Sequence, residues 1–224
     1  MNKKCVLVVG GSGSVGKITV DFFNNNNWEV VQTSSQNKKG NIPIINFSDL
    51  ESIKKFCRNN SKLYDAIVIA SGKEPQYNLD EMDVEHFDKM MDIHLKGPIF
   101  LIKNIKNKIR ENGSVILVSS VAANLGSYDP LYSTFKGGVN SMVKTLAREF
   151  KGKIRVNAIS PSLIADSTVY HRMTEDFRLK HQNSTLSKRL LQPGEVAGAI
   201  FFLVENEHIN GQIIHINGGQ YFGN

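Results

Sequence analysis

Residues 5–16, with the sequence CVLVVGGSGSVG, place a short apolar run directly before a glycine-rich turn. The run Cys5–Val9 is continuous in apolar side chains, which predicts a strand buried on both faces. From Val15 onward the apolar residues recur at helical spacing, so we expect a helix to follow the turn. A glycine-rich turn between a strand and a helix lets backbone N–H groups approach a phosphate, and the helix N-terminus adds a favourable dipole.

The rest of the chain repeats this alternation of strands and helices. Predicted strands lie at residues 5–9, 28–33, 42–45, 66–70, 114–118, 154–159 and 213–216. Predicted helices lie at residues 15–23, 49–59, 85–110 (one or two helices), 132–150 and 195–204. Such alternation indicates a parallel sheet covered on both faces. We therefore expect an α/β fold over residues 1–224, a single-domain doubly wound Rossmann fold with a parallel seven-stranded sheet. Residues 162–193 lack a strong pattern and form a candidate substrate lid.

Composition and charge exclude several other classes of protein. Of the 224 residues, 41% are hydrophobic and 21% charged, as in an ordinary folded chain. The net charge of +6 is spread out, so we expect no nucleic-acid binding. Cys5 and Cys57 have no metal-ligand spacing, so no metal site is expected. No apolar run suits a membrane span or a signal peptide, and we expect a cytoplasmic protein.

Two kinds of nucleotide site use a glycine-rich turn. Gly11, Gly16 and Lys17 fit the start of the nucleoside-triphosphate loop G-x-x-x-x-G-K-[ST]. The next residue, Ile18, lacks the hydroxyl that would hold Mg²⁺, which argues against that interpretation. The turn therefore favours a dinucleotide.

The identity of the dinucleotide depends on the end of the second predicted strand. An acidic residue is expected there, about twenty positions past the glycines, to bind the adenosine ribose. The stretch QTSSQNKK at residues 32–39 has no carboxylate. The hydroxyls of Ser34 and Ser35 and the lysines at 38 and 39 suit a 2′-phosphate, which favours NADP(H) over NAD(H).

A tyrosine and a lysine lie four residues apart in a predicted helix. Tyr132 and Lys136 therefore share one helix face. A nearby ammonium favours the phenolate, so we expect Lys136 to lower the pKa of Tyr132 and make it a general acid or base. Ser119 and Ser120 end the preceding predicted strand, where doubly wound folds place their chemistry.

Six stretches, in order along the chain, resemble the short-chain dehydrogenase/reductase family, in the branch that includes 3-oxoacyl-carrier-protein reductases. They cover nearly the whole sequence and lie at residues 10–16, 114–122, 132–139, 155–161, 193–197 and 211–219. The resemblance implies hydride transfer between a nicotinamide cofactor and a carbonyl or secondary alcohol, with a homodimer or homotetramer as the usual assembly. The cofactor carries the hard chemistry, and the protein supplies position and electrostatics.

The family mechanism assigns a role to each matching residue. Tyr132 exchanges a proton with the substrate oxygen, and Lys136 binds the nicotinamide ribose and lowers the phenol pKa. Ser120 orients the substrate oxygen, with Ser119 as the alternative, because the loop up to Tyr132 looks one residue short. His94 stands at the position of the family's catalytic Asn, which holds a water in a proton relay. A neutral imidazole also donates and accepts, so His94 either replaces the Asn or only packs.

The resemblance also implies a set of cofactor-binding residues, besides Tyr132 and Lys136. They are Gly10, Ser12, Gly13, Ser14, Val15, Gly16, Ser34, Ser35, Asn46, Phe47, Ala70, Ser71, Gly72, Pro161, Ser162, Leu163 and Ile164. This set departs from the family pattern in several places. Ser14 stands where the branch has Gly, and the stretch IASG at 69–72 replaces the usual Asn-Asn-Ala-Gly. The departures at His94 and Ile69 leave open a catalytically silent dinucleotide-binding sensor or scaffold.

The lid offers the one indication of substrate. Between residues 171 and 189, five basic side chains stand against Glu175 and Asp176. The five are Arg172, Arg178, Lys180, Lys188 and Arg189. This excess suits an anionic small molecule or a thioester-carried carbonyl substrate, such as a 3-oxoacyl thioester, and a simple solvated helix face is the alternative.

Overall fold

The computed structural model of the protein describes residues 3–36 and 42–223. Within them, a parallel six-stranded sheet has the order β2-β1-β3-β4-β5-β6. The strands are β1 (Cys5–Val9), β2 (Glu29–Gln32), β3 (Tyr64–Ile69), β4 (Ile109–Val118), β5 (Ile154–Pro161) and β6 (Ile213–Ile216). The strand order reverses between β1 and β3, which is the point where doubly wound sheets open a crevice for ligands. The predicted α/β doubly wound class is confirmed.

Helices cover both faces of the sheet and enclose two apolar cores. The helices are α1 (Ser14–Asn25), α2 (Leu50–Asn59), α3 (Val84–Met91), α4 (Gly97–Ile105), α5 (Ala122–Leu125), α6 (Pro130–Glu149), α7 (Thr168–Arg172), α8 (Glu175–Ser184) and α9 (Pro193–Glu205). One core lies under α2, α4 and α6, and the other under α1 and α9. A π-helical segment, Asp92–Lys96, joins α3 to α4, and a short 3₁₀ turn, Lys106–Lys108, leads into β4.

The predicted third strand at residues 42–45 is wrong. In the described part of the chain, this segment forms only an isolated bridge between Ser34 and Ile44. Pro43 has no N–H group and cannot donate a ladder hydrogen bond, although its carbonyl accepts from the Ser34 N–H. The described sheet therefore has six strands rather than seven.

Two buried polar side chains of β5 hold the C-terminal elements against the sheet. Arg155 is 5% exposed, and its guanidinium donates to the carbonyls of Leu203 and Val204, each at 2.8 Å. These are orphan carbonyls at the end of α9, so the cation also suits the negative end of that helix. The Asn157 amide donates to the Ile209 carbonyl and accepts from the Gln212 N–H, which fixes the approach to β6.

We predict that Arg155→Met lowers the free energy of unfolding by about 2–4 kcal/mol, because two buried carbonyls lose a charged donor. Arg110→Met is the matched control, since Arg110 makes a half-exposed ion pair with Asp65 at 3.5 Å and should cost at most about 1 kcal/mol. Urea unfolding of both variants measures the difference. Equal losses would show that the Arg155 hydrogen bonds do not hold α9.

Candidate active site

A cavity of about 890 Å³ opens at the carboxyl ends of β1, β3, β4 and β5. Thirteen of the residues predicted for catalysis or cofactor binding line it. They are Gly13, Ser14, Val15, Ala70, Ser71, Gly72, Ser120, Tyr132, Lys136, Pro161, Ser162, Leu163 and Ile164. The common edge of a parallel sheet thus brings together side chains from four separate loops.

The glycine-rich turn shapes the end of the cavity next to α1. Gly10 has φ +81°, and a Cβ atom on Gly16 would stand 2.0 Å from the Gly10 carbonyl oxygen. Both positions therefore require glycine for the turn to close, although neither residue lines the cavity. Among the described residues no side chain caps α1, which leaves its first N–H groups for an anion. The arrangement fits the pyrophosphate of a dinucleotide.

The residues predicted to bind the adenosine end lie apart from this cavity. The Ser12 and Ser34 hydroxyls bond each other at 3.1 Å, and Ser35 follows directly in the chain. The Asn46 carboxamide accepts from the Ser48 N–H. Phe47 is only 4% exposed.

The ring of Phe47 packs in the core against Gly97, so this side chain does not face the cavity, and cofactor binding by Phe47 stays a prediction. A Cβ atom at Gly97 would stand 2.3 Å from that ring. The lysines at 38 and 39, predicted to bind a 2′-phosphate, lie outside the described residues.

The phenol of Tyr132 faces Ser120 inside the cavity. Burial raises the pKa of Tyr132, the nearby Ser120 hydroxyl lowers it by hydrogen bonding, and the charge of Asp129 raises it again. The net pKa lies above the ordinary value. Our expectation that Lys136 lowers this pKa is therefore wrong for the protein without cofactor. A phenol with a raised pKa stays protonated at neutral pH and is ready to donate a proton.

The ammonium of Lys136 is buried beneath the tyrosine. Lys136 is 4% exposed, its Nζ donates to the Val118 carbonyl at 2.8 Å, and it lies 5.6 Å from the centre of the Tyr132 ring. Burial lowers the pKa of Lys136 to about 8. The lysine thus carries only part of its charge under mildly alkaline conditions, which limits its effect on the phenol.

The two serines at the end of β4 have different surroundings. The Ser119 hydroxyl donates to the carboxamide of Asn140, a residue of α6, at 2.6 Å. The Ser120 hydroxyl accepts from the Ala122 N–H and stands near the Tyr132 phenol. Only the Ser120 side chain is therefore placed beside the phenol.

His94 lies in the π-helical segment, a distortion that often marks functional positions. Its Nε2 is 3.1 Å from the Lys73 carbonyl oxygen, and its ring meets the Tyr132 ring edge to face at 5.9 Å. Burial, and then the Lys136 charge, hold the pKa of His94 well below 6.5. The imidazole is neutral at physiological pH and, as its N–H tautomer, donates to the Lys73 carbonyl.

Two contacts fasten the lid across the mouth of the cavity. The Thr168 N–H donates to the Ser14 hydroxyl at 3.0 Å, and the two side-chain hydroxyls lie 2.9 Å apart. Further along the lid, Arg172 forms an ion pair with Glu74 from the loop after β3. The lid is thus tied both to the phosphate turn and to the opposite wall.

Most of the basic lid residues bond within the chain. Four of them have such partners: Arg172 to Glu74, Arg178 to the Tyr170 carbonyl, Lys188 to the Asn183 carbonyl, and Arg189 to Glu195. Lys180 lines the cavity instead, together with His181. Burial, and then the Lys180 charge, lower the pKa of His181, so the anion-binding interpretation of the lid is reduced to Lys180.

Sequence reasoning missed a buried carboxylate next to the catalytic helix. Asp129 caps α6, which consequently begins at Pro130 rather than at Tyr132 as predicted. The Asp-Pro pair is a recognised helix-start signal that could have revealed this. Its buried partner His86, on α3, gave no signal in the sequence.

Within residues 3–36 and 42–223, no group of three or more His, Cys, Asp or Glu side chains is placed to hold a metal ion. Across the same residues, no helix has both the length and the apolar character needed to cross a membrane.

Comparison with known proteins gives a consistent family match. The profile described as Enoyl-(Acyl carrier protein) reductase matches residues 15–220. The chain is 30% identical to the uncharacterized oxidoreductase YmfI of Bacillus subtilis, over 96% of this chain and 98% of that protein. It is 29% identical to FabG, the 3-oxoacyl-[acyl-carrier-protein] reductase of Thermotoga maritima, over 96% and 97% of the two chains.

A solved structure supports the same fold. A small-chain dehydrogenase in complex with NADPH superposes with a TM-score of 0.86 at 21% identity, covering 98% of this chain and 99% of the other. The profile and the relatives confirm the family that the six motifs predicted. The chain therefore belongs to the short-chain dehydrogenase/reductase family, as an oxidoreductase that acts on CH–OH or C=O groups with a nicotinamide cofactor, and it resembles 3-oxoacyl-carrier-protein reductases.

Proposed function

We propose that this protein uses NADPH to reduce a 3-oxoacyl thioester to the corresponding secondary alcohol. The observation that carries the proposal is the juxtaposition of Ser120, Tyr132 and Lys136 on one wall of a cavity that extends under the lid. The phenol of Tyr132 is protonated at neutral pH and can supply the proton that the new alcohol needs.

The substrate class is supported by the rest of the cavity lining. Leu125, Met173 and Phe177 offer apolar surface for an acyl chain, and Lys180 suits an anionic carrier group. The similarity to FabG of Thermotoga maritima, named for 3-oxoacyl-carrier-protein reduction, agrees with this choice.

The proposed cofactor site follows the cavity from α1 to Lys136. Gly13, Ser14 and Val15 would hold the pyrophosphate at the uncapped start of α1, and Lys136 would bind the nicotinamide ribose. When bound, the nicotinamide supplies the hydride that reduces the carbonyl carbon. NADPH rather than NADH is supported by the absence of a carboxylate at residues 32–39 and by the NADPH complex of the similar dehydrogenase.

Each side chain then has a distinct task. Tyr132 donates its phenolic proton to the substrate oxygen, and Ser120 donates a hydrogen bond that orients this oxygen. His94, neutral at physiological pH, takes the place of the family's Asn and holds the Lys73 carbonyl at the cavity wall. Lys136, whose ammonium donates to the Val118 carbonyl, would hold the ribose of the cofactor.

We predict that Tyr132→Phe lowers kcat for 3-oxoacyl-coenzyme A reduction about 10²–10⁴-fold, because the proton donor is lost. NADPH binding, read by fluorescence, should stay within about threefold, since the ring remains. Tyr221→Phe is the matched control, because it removes a hydroxyl that accepts a bond from the exposed side chain of Asn124.

The same experiment separates the alternatives. A protein that binds neither NADPH nor NADH would contradict the proposal. One that binds NADPH but shows no Tyr132-dependent turnover would be the catalytically silent sensor or scaffold.

The two serines give a second prediction. Ser120→Ala should lower kcat at least about tenfold, as expected for a lost hydrogen bond to the reacting oxygen. Ser119→Ala should change kcat less than about threefold, because its hydroxyl is bonded to Asn140. Steady-state kinetics of both variants decide the matter, and the reverse ranking would assign the catalytic role to Ser119.

The buried lysine predicts a pH dependence of stability. Its folded-state pKa of about 8 lies below the ordinary 10.5, so between these values the unfolded chain binds more protons at this site. The free energy of unfolding without cofactor should therefore gain about 1–2 kcal/mol between pH 7.5 and 9.5, relative to Lys136→Met. Urea unfolding at both pH values measures this gain.

Lys144→Met, an exposed position on the same helix, should keep the pH dependence of the unmodified protein. If Lys136→Met also keeps it, the ammonium is not desolvated in the cavity.

A further inference from the structure

Asp129 is a fully buried carboxylate that joins three separate segments of the chain. It is 0% exposed, and its Oδ1 accepts from the N–H groups of Leu131 and Tyr132 at 3.0 and 3.1 Å. Its Oδ2 accepts from the Gln76 N–H at 2.9 Å and lies 3.2 Å from the Nε2 of His86. One oxygen therefore serves the start of α6, and the other serves the loop after β3 and helix α3.

This pattern exceeds what a helix cap needs. Asp49 caps α2 by accepting from Glu51, and Asp83 caps α3 by accepting from His86, each within its own helix. Both bonds are local, whereas Asp129 reaches across more than fifty residues of sequence to Gln76. Burying a carboxylate is costly unless donors surround it, so the whole set of donors is required together.

The charged state of Asp129 is maintained by these donors. Burial raises the pKa of this carboxyl, but the bonds from Gln76, Tyr132, His86 and Tyr77 outweigh burial and leave the pKa below its ordinary value. His86 is itself 4% exposed and packs edge to face on Tyr77, with ring centres 4.6 Å apart. The Asp129 carboxylate and the His86 imidazole thus form a pair that is buried from solvent.

The segment held by Asp129 is part of the cavity wall. Lys73, Glu74 and Pro75 line the cavity just before Gln76. The Tyr128 hydroxyl, next to Asp129, donates to the Pro75 carbonyl at 2.8 Å. Tyr132 is the third residue of α6, and its backbone N–H donates to the Asp129 carboxylate. A single side chain therefore links the backbone of the proposed proton donor to the wall that faces it.

We propose that Asp129, oriented by His86, is a positioning residue that fixes the Tyr132 phenol relative to the cavity wall formed by Lys73, Glu74 and Pro75. The inference rests on the proposed function of Tyr132. Small displacements of a proton donor cost large factors in rate, because proton transfer requires hydrogen-bond distance to the reacting oxygen.

Asp129→Asn tests the role with nearly unchanged volume. The side-chain amide of the new asparagine has one oxygen and one NH₂ group, so it can accept on one side only. It would therefore lose the hydrogen bonds either from the Gln76 N–H or from the N–H groups at the start of α6. We expect kcat for 3-oxoacyl-coenzyme A reduction to fall at least about tenfold, as for a misplaced donor. NADPH affinity should stay within about threefold. Asp49→Asn, a cap remote from the cavity, should change neither value.

The pH profile separates positioning from general loss of structure. Oxidation of the alcohol needs the phenolate, so its rate rises with pH through the pKa of Tyr132. The groups around the phenol are Ser120 after β4, His94 in the π-helical segment, Lys136 on α6 and Asp129. Removing the Asp129 charge lowers the phenol pKa, so Asp129→Asn should move this rise to lower pH.

His86 provides a rescue test. His86→Gln keeps a side-chain N–H donor for Asp129, whereas His86→Leu removes it. We expect His86→Leu to lose at least about fivefold in kcat and His86→Gln to regain most of the loss, as expected for a bond to a buried charged group. Equal losses in the two variants would show that His86 acts through packing alone.

Hydrogen exchange gives a readout that needs no turnover. In Asp129→Asn, the amides of Gln76, Tyr77, Leu131 and Tyr132 should exchange at least about tenfold faster, because the carboxylate to which all four donate is weakened as an acceptor. Unchanged exchange at these amides would overturn the inference even if the protein proves to have no reductase activity. Active wild-type protein with full kcat retained in Asp129→Asn would overturn it while leaving the proposed function intact.

Discussion

All described strands run in the same direction, and this one constraint assembles the site. Four loops leave the sheet at a single edge, so the phosphate turn after β1, the stretch at 70–72, Ser120 and Pro161 meet without any one of them reaching far. The apolar core residues on both faces hold the strands in register, and the strands in turn hold the loops that line the cavity. The direction of the strands therefore determines which loops meet at the site, and the side chains on those loops determine its chemistry.

Helix α6 supplies the two ionisable side chains of the site at this edge of the sheet. It carries Tyr132 and Lys136 on one face, four residues apart, and packs them against the end of β4. Enclosure has opposite effects on the two groups, since it raises the pKa of the phenol and lowers that of the ammonium. Both shifts favour the neutral forms, which suits a site that must donate a proton and admit an uncharged carbonyl group.

The sequence predicted what local patterns encode and missed what distant residues build. The glycine-rich turn could be predicted because it lies between a strand and a helix in the sequence. The Tyr132–Lys136 pair could be predicted because residues four apart share one helix face. The alternation predicted a parallel sheet of seven strands, and the described sheet has six because the segment with Pro43 forms only an isolated bridge. Asp129 with His86, and Glu74 with Arg172, depend on segments that meet only in the folded chain. Phe47 belongs to the core because it packs against Gly97, which no local pattern reveals.

The central claim is that a nicotinamide cofactor lies along the cavity with its reactive ring beside Tyr132. A crystal structure of the protein grown with saturating NADP⁺ tests this most directly. We expect the pyrophosphate at Gly13–Val15, the ribose hydroxyls on the Lys136 ammonium, and the nicotinamide ring facing Tyr132 and Ser120. A cofactor bound elsewhere, or with its nicotinamide ring directed away from Tyr132, would contradict it.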